Sequence, residues 1–206
     1  MPENSWLDAV PIGLLMFAGT LFGLLRRQWG KRASRVGFPE LGRRLGLRHT
    51  AADTPGAAGV LSGQVDGYIV RIESEVRPRL VLRLPYQLGL DLRNYDRWKR
   101  LPPQYAPFAF SDPLLNQWLR TRLVHREMDQ AFTRDEALQV ALRAFRSNRA
   151  VREFNVADGR IECTYDYGTR ALFPAQAAEA ALKQGLHLAQ ALASCAVVPD
   201  AELSGA

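Results

Sequence analysis

The chain has 206 residues, 47% of them apolar and 23% charged, which is the make-up of an ordinary globular protein and excludes a disordered chain or a coiled coil. Two cysteines exclude a disulfide scaffold. The net charge is +6, and five of those six charges lie before residue 49, where eight basic side chains face only Glu3, Asp8 and Glu40.

From Val10 to Leu25 the sequence VPIGLLMFAGTLFGLL carries no charge, and extending it back to Trp6 adds one acid, Asp8. Twenty helical residues rise about 30 Å, the depth of a bilayer's hydrocarbon core. Leu, Phe, Met and Ile fall on all sides of that helix, whereas a helix buried in a soluble core shows a stripe. Trp6 and Trp29 bracket the run at the two expected interfaces. A cleaved signal peptide requires positive charge before the apolar stretch and small residues after it. Here the order is reversed, because Arg26, Arg27, Lys31, Arg32 and Arg35 all follow the run. Residues 6–25 are therefore predicted to be a transmembrane helix after a short tail (1–5), and 26–37 a basic juxtamembrane linker.

The positive-inside bias places the N-terminus outside and everything beyond residue 26 in the cytoplasm, which implies the inner membrane. Trp6, Arg26, Arg27, Trp29, Lys31, Arg32 and Arg35 are the expected membrane-interface residues. Nucleic acid is not an expected partner, because the positive charge abuts the span and the rest of the chain is nearly balanced. Gly19-Thr20-Leu21-Phe22-Gly23 reads GxxxG and leaves a homo-oligomer through the span open.

Residues 38–195 are predicted to form the soluble domain, with a loose tail at 196–206. A short helix is expected from Phe38 to Leu47, with Pro39 at its start. A turn-rich loop covers 50–59, and a hairpin follows at 60–73 around Asp66-Gly67. From Leu80 to Leu92 the even positions are apolar, with Tyr86 among the leucines, while Arg79, Arg83, Asp91 and Arg93 lie on the other parity. That alternation predicts a strand with one buried face, and Pro85 marks a bend, bulge or edge within it. Another strand is expected over 118–126. A helix is then expected after a capping box at Thr133-Arg134-Asp135-Glu136. Two strands, 151–156 and 160–167, meet at Ala157-Asp158-Gly159. A long helix rich in Ala and Gly runs from Phe173 to about Ser194 and is expected to cover the sheet. The class is α+β, a mostly antiparallel sheet with helices on one face. This order of elements resembles that of bacterial secretion chaperones, a likeness of architecture alone.

Phosphate-loop, nucleophile-elbow and zinc-binding spacings are absent from the sequence. His125, Glu127 and Asp129 would share a face if a strand ran through them, offering one nitrogen and two carboxylates to a divalent metal. The plainer reading is a polar strand end. No cofactor is expected. The stretch 94–118 is long, irregular and aromatic, and Tyr95, Trp98, Tyr105, Phe108 and Phe110 are the candidate partner-binding residues. The competing reading has those rings capping the core. Cys163 and Cys195 are expected to be buried free thiols.

The combined expectation is a single-pass membrane-anchored protein whose cytoplasmic α+β domain is a non-catalytic interaction or adaptor module. Its partners would be the bilayer and a protein of unknown identity. The alternatives are a membrane-tethered metal-dependent hydrolase using His125, Glu127 and Asp129, and a lipid-sensing domain.

Overall fold

The structure, a computed structural model, describes residues 20, 37–53, 57–74, 77–94, 106–124, 129–157, 159–166 and 173–196. Apart from Thr20, which is helical, the predicted span over 6–25 lies outside the described residues, as does the basic linker up to residue 36. Among the described residues no helix is long and apolar enough to cross a membrane.

The architecture is α+β. Among the described residues nine strands form one sheet in the order β1-β2-β3-β4-β9-β8-β5-β7-β6, and every pairing there is antiparallel. The strands are β1 (Arg48–Thr50), β2 (Gly59–Val65), β3 (Tyr68–Ser74), β4 (Arg79–Arg83), β5 (Leu90–Arg93), β6 (Ala106–Pro107), β7 (Arg120–Leu123), β8 (Val151–Ala157) and β9 (Arg160–Tyr165). The helices are α1 (37–45), α2 (Pro113–Trp118), α3 (Asp129–Arg134), α4 (Glu136–Ser147) and α5 (Ala175–Ala196).

Strand parity decides which side is core. Val70 and Ile72 of β3, Leu80 and Leu82 of β4, Ile161 and Cys163 of β9, and Phe154 of β8 are all fully buried on one face. Helix α5 lies on that face. Its buried positions Ala178, Ala181, Leu182, Leu188, Ala189 and Leu192 recur at helical spacing, and Gly185 falls where the helix comes nearest the sheet. A Cβ at Gly185 would stand 2.4 Å from Leu82 Cδ1 and 3.0 Å from Leu80 Cδ2, so only a residue without one lets the helix approach this closely. Phe173 stacks on Tyr165 just before α5 starts. Helix α4 packs beside α5 and presses Phe145 against Phe154, while Phe38 and Leu41 bury the adjoining face of α1. Burial of a Leu or Phe side chain contributes roughly 1.5–3 kcal/mol, so these contacts outweigh the exposed ion pairs along the same helices.

Two such pairs tie helices together. Arg44 of α1 meets Glu179 of α5, and Lys183 reaches the same carboxylate at 3.2 Å. The hydrogen bond from Lys183, with help from Arg44, holds the Glu179 carboxyl below the usual range. Asp112 caps α2 by accepting from Leu114 N at 2.8 Å, and Arg143 Nε of α4 donates to its other oxygen at 2.6 Å. The Arg143 bond, then the backbone donors, lower the Asp112 carboxyl as well.

Three sequence expectations are corrected. The leucine alternation over 80–92 is two strands, not one. It breaks at 84–89 around Pro85, and β9 and β8 lie between β4 and β5 in the sheet. Trp118 ends α2 instead of opening a strand, and β7 starts two residues later. The cap of α4 is Asp135, whose carboxylate accepts from Leu138 N at 2.6 Å; Thr133 belongs to the preceding α3. The hairpin around Asp66-Gly67, both at positive φ, forms as expected.

Replacing Gly185 by Leu is expected to destabilise the chain by ~1–3 kcal/mol through overpacking, read as a lower urea midpoint. An unchanged midpoint would show that α5 does not rest on Leu80 and Leu82. The Asp112–Arg143 contact carries a pH signature. A carboxyl lowered on folding stabilises above its unfolded value, about 3.9, and that contribution fades as pH falls through the folded value. Arg143→Met should therefore lower the urea midpoint at neutral pH, and the difference from the parent should vanish in strong acid.

Candidate functional site

The helices lie on one face of the sheet, and over β3, β4 and β9 the other face is polar and solvent-facing. The same alternation that buries the leucines sends Ile69, Arg71 and Glu73 of β3, Arg79, Val81 and Arg83 of β4, and Arg160, Glu162 and Thr164 of β9 outward. Register aligns them in rows across the strands. Glu73, Arg79 and Thr164 form one row, Arg71, Val81 and Glu162 the next, and Ile69, Arg83 and Arg160 the last.

Charges in the first two rows are largely matched. Arg71 Nε donates to Glu73 Oε1 at 2.5 Å, and Arg79 Nη2 meets Glu162 Oε1 at 2.7 Å. The last row is not matched. Arg83 and Arg160 are direct cross-strand partners, and like charges so placed repel. Arg160 Nε is 4.0 Å from Glu162 Oε2, the nearest acid, whose other oxygen already takes Arg79. Arg83 has no ion pair among the described residues. Four arginines face two glutamates on these three strands, leaving a surplus of positive charge. Ile69 stands 57% exposed at the end of the same row, the most exposed large apolar side chain described.

Beyond β4 the chain turns through Pro85 and runs back against the β8–β9 turn, where Leu84 N donates to Gly159 O at 2.7 Å. A groove of about 490 Å³ opens there, lined by Arg83 and Arg160 and by a wall of Pro85, Tyr86 and Gln87. The Tyr86 hydroxyl donates to Ala189 O of α5 at 2.9 Å, which pins that wall to the helical layer. Burial, and then the neighbouring Tyr68, push the Tyr86 phenol above its ordinary value, so it stays neutral.

Further along the sheet, Arg93 of β5 forms a two-pronged contact with Asp91 at 2.7 and 2.5 Å, and Asp91 is buried. Arg120 and Arg122 of β7 lie opposite Arg93 and Asp91 in register.

The residues singled out from sequence are distributed differently. Phe110 is buried, and the half-buried Phe108 packs edge-on against it beside the core. Tyr95, Trp98 and Tyr105 lie outside the described residues, as do the membrane-interface residues Trp6, Arg26, Arg27, Trp29, Lys31, Arg32 and Arg35. His125 and Glu127 are outside them too. Strand β7 ends at Leu123 and Asp129 opens α3, so the strand expected to align the three side chains does not extend to Asp129. Among the described residues no group of three potential ligands is placed to hold a metal ion. Arg83 and Arg160 were not among the sequence candidates. The off-parity arginines were visible, but their meeting depends on the β4–β9 pairing, between segments far apart in the chain.

No protein-family model and no curated protein matches the chain. Among solved structures, the chain is similar to the crystal structure of the mycobacterial trehalose monomycolate transport factor A at TM-score 0.44 and 10% identity. That likeness covers 81% of this chain and 93% of the other, and at this level it carries no argument.

Cys163 and Cys195 are both free and buried. Burial raises the Cys163 thiol, and it pushes Cys195 up to about 12, with the Asp135 carboxylate adding to the effect. Thiolate, the reactive form, is therefore scarce at both sites. Iodoacetamide at mildly alkaline pH should leave both thiols unmodified in the native chain and alkylate both in urea, read by intact mass. Rapid native labelling of Cys163 would show that β9 is not covered by the helical layer.

Proposed function

We propose that this chain is a single-pass inner-membrane protein, N-terminus outside, whose cytoplasmic domain is a non-catalytic binding or adaptor module. The observation that carries the reading is the one-sided sheet. Among the described residues the helical layer lies on one face, which leaves β3, β4 and β9 presenting a positively biased surface.

Face and edge offer different modes of recognition, and here the face is favoured. The outermost strands are short, three residues in β1 and two in β6, and Pro107 removes a donor from β6. A partner adding a strand would find little ladder to extend. An acidic partner laid across the face would instead meet Arg71, Arg83 and Arg160, with Ile69 supplying an apolar contact. Charge complementarity of this kind speeds encounter and sets orientation.

The anchoring half of the proposal draws on the uncharged run up to Leu25 and the arginines that follow it. Each basic residue near an anionic leaflet adds roughly 1 kcal/mol of attraction, so the linker would hold the domain close to the membrane.

Two measurements test the two halves. In carbonate-washed membranes the full-length chain should stay in the pellet, and its release would overturn the anchor. A photocrosslinking residue at Ile69 of the membrane-embedded chain should yield acidic partner adducts, and Arg71→Glu should abolish them. The same probe at Val140, which is 45% exposed on α4, should give none. Adducts from Val140 and not from Ile69 would overturn the sheet face as the binding surface.

A further inference from the structure

The groove at the end of β4 is built around an electrostatic conflict. Directly opposed residues of an antiparallel pair hold their Cβ atoms ~4.5–5.5 Å apart, so Arg83 and Arg160 bring two permanent positive charges together on an exposed face. Guanidinium groups cannot escape by losing a proton. Among the described residues little offsets them, because Glu162 is shared with Arg79 and stands 4.0 Å from Arg160, and Arg83 has no ion pair there. The chain meanwhile ties the 84–87 segment of the lining to the fold, through the Leu84–Gly159 backbone bond and the Tyr86–Ala189 hydrogen bond.

We propose that this groove binds a phosphomonoester, with Arg83 and Arg160 converging on its phosphate. This deepens the binding-module reading by assigning the open face a small ligand, and it rests on that face being the functional one. The choice of anion follows from donor geometry. One guanidinium fork engages both oxygens of a carboxylate, whereas a terminal phosphate has three oxygens and presents separate edges to two forks. A dianion also neutralises both arginines, where a phosphodiester neutralises one. The volume of about 490 Å³ exceeds what phosphate alone fills and falls within the range of small-ligand sites, so the esterified group has room between Pro85 and Gln87.

The same phosphomonoester chemistry occurs on a lipid headgroup and on a soluble metabolite, and one experiment separates them. The full-length chain in phosphatidylcholine nanodiscs is titrated calorimetrically with glycerol 3-phosphate, dioctanoyl phosphatidic acid and glycerophosphocholine. Both phosphomonoesters should bind, and the phosphodiester at least about tenfold more weakly. Dioctanoyl phosphatidic acid binding about tenfold more tightly than glycerol 3-phosphate identifies a lipid source, and equal affinity a soluble one. Arg83→Gln and Arg160→Gln should each weaken phosphomonoester binding at least about tenfold while leaving the urea midpoint unchanged or raised, since each removes a repulsion. No binding of either phosphomonoester, or binding that survives both substitutions, overturns the proposal. So does Arg83-dependent binding of a phosphoserine peptide when glycerol 3-phosphate fails to bind. Any of these failures leaves the Ile69 crosslinks and carbonate resistance intact, so the groove can fall without the binding face falling with it.

Discussion

The structure depends on how closely α5 lies on the sheet. Leu80 and Leu82 rise from β4 into the space that Gly185 leaves open, and alanines at neighbouring turns keep the helix flat against them. Once α5 is seated, α1 and α4 have a wall to pack beside, and Phe38, Phe145 and Phe154 close the core around it. The contact is steric and apolar, so its strength hardly responds to salt or pH. The ion pairs of Arg44 with Glu179 and Arg143 with Asp112 fasten helix ends that this contact has already placed.

Concentrating the apolar contacts on one side has an electrostatic consequence on the other. Over β3, β4 and β9 no described element covers the outer face, and arginine keeps it hydrated, with two glutamates to offset four arginines. Where neutralisation is complete, as between Arg71 and Glu73, the surface is a solvated ion-pair lattice of small energetic value. Where it is incomplete, at Arg83 and Arg160, the surface stores repulsion that a ligand can relieve.

Local elements were legible because their signals are local. The Asp66-Gly67 turn, the Ala157–Gly159 turn and the small-residue pattern of α5 each sit within one stretch of chain, and each formed where expected. The one-faced layering followed from strand parity. The failures have a common origin. Leu80 to Leu92 keeps its parity across a break, because both strands face the same helices, and nothing nearby reveals that two other strands lie between them. Phe110 looked available in a proline-rich stretch, and only the neighbouring elements decide that it is buried. The arginine pair was hidden for the same reason, since register between distant strands has no trace in either strand's own sequence.

The insertion of β9 and β8 between β4 and β5 also shapes how the chain comes to exist. As it leaves the ribosome, β4 and β5 emerge early with their inner flanks unsatisfied, and the hairpin that fills both gaps ends only at Tyr165. Nascent chains of this protein thus carry two raw strand borders from the making of Arg93 until Tyr165 is reached, a period when stray pairing competes with correct assembly. Topology alone makes this a slow-closing sheet, completed in its middle by its last-made strands.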